Sequence, residues 1–155
     1  MEQASRLPSR RIGICAAASL LLTLCIPAFG LEGTYTAALD PVAHDNSTRA
    51  DVVGEGDVTA ALSGRTLSIR GRFSGLASPA TAAHLQMGLA TGVPGPAVAD
   101  LSATSGTGGT ISGSVTLSPA QLSRLAAGGL YVQIDSVKAP GGTLWGWLLP
   151  ASGAQ

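Results

Sequence analysis

The chain is short of thiols, imidazoles and charge, and each shortage removes a class of function. Its two cysteines, Cys15 and Cys25, both fall in an N-terminal segment that reads as a removable leader. Without them the rest of the chain has no disulfide framework, no thiolate metal site and no cysteine nucleophile. Histidine is limited to His44 and His84. Charged residues make up 12% of the sequence, nine basic and nine acidic, scattered rather than in runs. No basic patch results, which argues against a nucleic-acid partner. The longest uncharged apolar run, Ile12 to Ile26, has fifteen residues, short of the roughly 20 that span a bilayer.

That run belongs to MEQASRLPSRRIGICAAASLLLTLCIPAFG, residues 1–30. Arg6, Arg10 and Arg11 form a basic start, the apolar run follows, and small residues Ala28 and Gly30 close it. This is the pattern of a secretory signal peptide with its cut between Gly30 and Leu31. Ser9-Arg10-Arg11 resembles a twin-arginine signal and Leu22 to Cys25 a lipobox, but Gly13-Ile14 and the bulky Leu24 fit those patterns less well. Simple cleavage places the protein in the periplasm or outside the cell, with no stable membrane span. Removing the leader takes three of the nine bases and one of the nine acids, leaving six against eight and a net charge of −2. Residues 31–155 are then expected to form one domain, long enough to bury about two-thirds of its unfolded surface.

What is present is a succession of short alternating segments punctuated by Gly, Pro, Ser and Asp. Strands are expected at Tyr35–Leu39, Asp57–Leu62, Arg65–Phe73, Thr81–Leu89, Ala97–Leu101, Thr110–Leu117, Leu130–Val137 and Thr143–Leu149. In Arg65–Phe73, for instance, Leu67, Ile69, Gly71 and Phe73 share one face while Ser68, Arg70 and Arg72 share the other, the mark of a half-buried antiparallel strand. Ser63-Gly64 reads as a hairpin turn, and Pro41 to about Gly56 as a long loop. One stretch is helical. Ser118 is placed as N-cap, Pro119 as the first residue and Gln121 as the capping-box partner, with Gly128 ending a two-turn helix near 118–127. The fold class is therefore all-β: an antiparallel β-sandwich, or a partly open barrel, of about seven to eight short strands with one short helix.

Two stretches carry a resemblance. GRFSGLASPATAAHLQMG (71–88) and LSPAQLSRLAAGGLYVQIDSVKAPGGTLWGWL (117–148) resemble the chordin-type, or CHRD, domain, with the match running over about 56–149. The resemblance implies an extracytoplasmic β-sandwich-like module with no assigned catalytic residues. The apolar positions Leu85, Val132, Ile134, Leu144 and Leu148 agree with the family in type, whereas the polar positions depart from it. His84 is retained. Gln86 stands where the family has a second histidine, Gln133 where it has asparagine and Asp135 where it has histidine. Thr143, Trp145 and Trp147 replace a glutamate, an arginine and a glutamine, so the outward face has been rewritten while the core pattern remains.

Those outward residues, His84, Gln86, Gln133, Asp135, Trp145 and Trp147, are the candidate ligand or partner face. No serine has a nucleophile-elbow setting, and Asp51, Glu55 and Asp57 read as solvated carboxylates in or beside a turn, so no enzyme is expected. One histidine with one carboxylate and a glutamine is a poor set for zinc or copper, so no cofactor or metal is assigned. The indoles of Trp145 and Trp147 suit a protein partner or stacking on a carbohydrate, unless the N-terminal segment or the 40–56 loop covers them. The sequence thus points to a non-enzymatic binding or structural module; the alternative is a metal-binding or redox protein built on His84 and Asp135.

Overall fold

The computed structural model describes residues 32–151. The leader expected at 1–30, with both cysteines, lies outside them. Period-two alternation generates most of the structure. In β2 (Glu55–Ser63), Val58, Ala60 and Leu62 are buried while Asp57, Thr59 and Ala61 are exposed. β3 (Thr66–Ser74) buries Leu67, Ile69 and Phe73 in the same way. The two pair from Glu55↔Ser74 to Ser63↔Thr66, and the turn between them uses Gly64 at φ 59°, in the left-handed region where glycine carries no Cβ penalty.

The remaining strands are β1 (Glu32–Pro41), β4 (Ala80–Met87), β5 (Ala97–Ala103), β6 (Gly109–Thr116), β7 (Leu130–Ser136), β8 (Leu144–Trp147) and the two-residue β9 (Leu149–Pro150). Neighbours run in the order β2-β3-β6-β5-β4-β7-β8-β1, and β1 also pairs with β2. The result is a closed eight-stranded antiparallel barrel, which replaces the expected sandwich or partly open barrel. Closure depends on β1, which is ten residues long rather than the five of Tyr35–Leu39. It pairs with β2 from Glu32↔Ser63 to Leu39↔Gly56 and reaches β8 at Asp40↔Trp145. β9 meets β1 at Thr36↔Leu149, in the register that β8 set, and so continues β8 after a break at Leu148. Gly146 permits the approach: a Cβ there would strike the Ala38 carbonyl oxygen and the Leu39 side chain.

The barrel is filled by its inward residues. Leu39, Leu67, Ile69, Leu85, Ile111, Ile134, Leu144 and Leu148 are essentially inaccessible, and such close packing makes each sensitive to truncation. α1 (Pro119–Ala126) lies in the connection from β6 to β7, which passes β5 and β4 across one end of the barrel. Its capping box forms as expected: the Gln121 amide N–H donates to Ser118 Oγ (3.3 Å) and the Ser118 N–H to Gln121 Oε1 (2.7 Å). Leu125 is inserted into the core, with Leu122 packed against its margin. Among the described residues no helix is long and apolar enough to cross a membrane.

Two local expectations need correction. β4 ends at Met87, and Leu89 is 74% exposed in the following loop instead of facing the core. Thr143 precedes β8 and does not face outward with the tryptophans; it is fully buried, donating from Oγ1 to Ser136 Oγ at 2.7 Å inside the 136–143 turn. Glu55 and Asp57 are exposed at the start of β2, in keeping with solvated carboxylates beside a turn, and Asp57 forms an exposed ion pair with Arg72 at 2.6 Å.

Candidate binding face on β4, β7 and β8

Strand register assembles the candidate residues. His84 of β4 lies opposite Gln133 of β7, and Gln133 opposite Trp145 of β8. The row extends to Asp100 of β5, opposite His84, and to Asp40 of β1, opposite Trp145. A second row places Gln86 opposite Tyr131 and Tyr131 opposite Trp147. Since residues directly across antiparallel strands project to the same side, all six predicted residues share one outer face.

The polar part of this face is a bonded chain. His84 Nδ1 donates to Asp100 Oδ1 (2.9 Å), and Nε2 stands 3.4 Å from Asp135 Oδ2. Gln133 Nε2 donates to the other Asp135 oxygen at 2.8 Å. Asp135 is mostly covered and Asp100 mostly open, with 14% and 88% of their side chains accessible. The imidazole therefore ties β5, β4 and β7 together. Each of its nitrogens faces a different carboxylate, so the two carboxylates lie on opposite sides of the ring. Among the described residues no group of three or more His, Cys, Asp or Glu side chains is arranged to hold a metal ion.

The aromatic part is a three-ring cluster that lies outside the barrel. Tyr131 and Trp147 have centroids 4.3 Å apart, and Trp145 meets each of the other two edge-on at 6.1 Å, an arrangement favoured by the ring quadrupoles. Tyr131 is fully buried, although it points away from the barrel interior. The 88–96 loop covers it. The Tyr131 hydroxyl donates to Gln86 Oε1 (2.6 Å) and accepts from the Gly95 N–H (3.1 Å). The loop is tied down at its ends by Gly88 N–H to Gly129 O (2.9 Å) and Met87 N–H to Pro96 O (3.0 Å). It also packs on Trp147, since a Cβ at Gly88 would strike that ring and the Val93 carbonyl. β7 is thus covered on both faces at Tyr131, by a loop other than the one expected.

Trp145 remains half-buried at the floor of a shallow cleft of about 220 Å³, bordered by Val42, Ala43, Pro94, Gln133 and Gly141. Val42 and Ala43 begin the 42–54 loop, so the long loop walls this cleft on one side without closing it. Asp45 shapes that loop: Oδ1 accepts from the Ser47 N–H (2.9 Å), the Ser47 hydroxyl (2.6 Å) and the Thr48 N–H (3.1 Å). The Ser47 hydroxyl first, then the two N–H groups, hold the Asp45 carboxyl below the usual carboxylate range. His44 stays in this loop, donating from Nδ1 to the Val42 carbonyl at 2.9 Å, away from the polar row.

The sequence pattern puts Tyr131 on the same side of its strand as Gln133 and Asp135 without marking it as a candidate, and sequence reasoning missed Asp100. Both sit at outward positions of predicted strands. A tyrosine on an otherwise polar face is the signal that marks a second packed layer; Asp100 carries none until the register of β4 against β5 is known.

The CHRD domain family model matches residues 35–148. The match begins at Tyr35, inside β1, well before the expected start at Gly56, so the strand that closes the barrel belongs to the family unit. No curated protein and no solved structure matches the chain. With the match covering most of its length, the chain belongs to the CHRD domain family.

Proposed function

We propose that this CHRD-family chain is an exported, non-enzymatic binding module, residues 31–155 behind a cleaved leader, and that it engages its ligand through the outer face of β4, β7 and β8. The observation that carries the reading is Trp145, half-buried and lining a cleft, and held by edge contacts to two other aromatic rings. A partly exposed indole in a cleft, flanked by an amide, is a common recognition element. Secretion or residence in the periplasm fits the leader and the family. The metal or redox alternative gains no support, because the two carboxylates flank His84 from opposite sides.

The test is retention on immobilised oligosaccharide and peptide arrays, with the purified protein and its Trp145→Ala variant. The protein should bind members of one class, and the variant should bind them at least about tenfold more weakly, equivalent to ~1.4 kcal/mol. Absence of retention on both arrays, or equal retention by the variant, would overturn the reading.

A further inference from the structure

We infer that the ligand of this face is a neutral saccharide, one ring stacking on Trp145 and the chain continuing over Gln133 toward His84 and Asp100. The inference rests on the binding-face reading and adds the ligand class to it. Three features of the face select that chemistry.

The first is charge. The row running across the sheet ends in Asp40 and Asp100 and contains no lysine or arginine, and Asp135 lies beside it, bonded to Gln133. The six residues around the Trp145 cleft are all uncharged. Phosphate, sulfate and carboxylate ligands would meet repulsion without a compensating cation. A ligand that supplies hydroxyl donors meets the acceptors it needs.

The second is the order of side chains. Trp145, Gln133, His84 and Asp100 occupy successive strands in register. With strands about 4.8 Å apart, the row extends about 14 Å, enough for several linked rings. It begins with an aromatic plate and continues with planar polar groups. A pyranose chain has the matching character, an apolar C–H face on each ring and hydroxyls at the rim. The edge contacts of Trp145 with Tyr131 and Trp147 fix the plate before binding, which lowers the ordering cost of association.

The third concerns peptides. β4, β7 and β8, which carry the face, each have a partner on both sides there. The face itself therefore offers no edge for an extended peptide to add to by strand augmentation, and a peptide bound on it would have to use side chains alone.

Calorimetric titration of the purified protein with cellohexaose, laminarihexaose, chitohexaose and mannohexaose tests the inference, with a heparin hexasaccharide as the anionic probe. At least one neutral oligomer should bind and the anionic one should not. Trp145→Ala should weaken binding by about tenfold or more, and Trp145→Phe should recover part of it. Gln133→Ala, which leaves the aromatic cluster intact, should weaken the same titration and provides the readout if Trp145→Ala unfolds. Failure of every neutral oligomer to bind, binding of the anionic probe as tight as the neutral ones, or indifference to both substitutions contradicts the inference. Peptide-only retention on the arrays, lost in Trp145→Ala, removes the saccharide and leaves the binding face standing; no retention of either class removes both.

Discussion

On β3 and β6 the outward residues Ser68, Arg70, Ser112 and Ser114 are all exposed, whereas on β4 and β7 the outward Gln86, Tyr131 and Gln133 are half-buried or buried. Both halves of the barrel share one core and one antiparallel ladder, so the difference arises outside them. Around β3 and β6 the wall is a single layer with water on its far side. Around β4, β7 and β8 a second layer is added, made of three aromatic rings, a histidine between two carboxylates and the 88–96 loop. A face that is ordered yet partly open, on one side of a barrel whose other side is plain, is where a binding role is most economically placed.

Substitutions can break or sharpen this contrast. Ile134→Ala removes a fully buried core side chain of β7 and should cost about 3 kcal/mol in urea unfolding, as cavity-forming changes in packed cores do. Tyr131→Phe keeps the ring but strips the hydroxyl from Gln86 and from the Gly95 N–H. It should cost about 1 kcal/mol and speed hydrogen exchange at the Gly95 amide, showing that the second layer contributes to stability. Arg70→Ser, on the single-layer half, should change stability by no more than about 0.5 kcal/mol in the same unfolding experiment. A cost at Arg70 equal to that at Tyr131 would erase the distinction between the halves.

The same contrast decides how much could be read from the sequence. Where one face is core and the other is water, alternation is sufficient: Leu67, Ile69 and Phe73 were legible as inward, and Ser68 and Arg70 as outward. The helix was legible too, because Ser118, Pro119 and Gln121 encode a local hydrogen-bond pattern. Closure of the barrel was not, since it depends on β1 pairing with β2 and β8 across long sequence separations, and a local pattern serves a sandwich equally well. The candidate residues could be assigned to an outward face one strand at a time. Their convergence into rows, and the addition of Asp100, required the registers of three strand pairs. The burial of Tyr131 required the 88–96 loop, whose Gly88-to-Pro96 sequence signals a turn but not the surface on which it lies.

Leu144 and Trp145 are neighbours on β8 that point to opposite sides of it, one fully buried in the barrel and one half-buried in the cleft. Urea unfolding of Leu144→Ala and Trp145→Ala, side by side, asks directly whether the outer face is held for binding or for stability. The account predicts a loss of about 3 kcal/mol at Leu144 and no more than about 1.5 kcal/mol at Trp145, in line with an ordinary partly exposed site. A loss at Trp145 equal to or greater than that at Leu144 would make its indole part of the structural core and would contradict the claim that this face is kept open for a ligand.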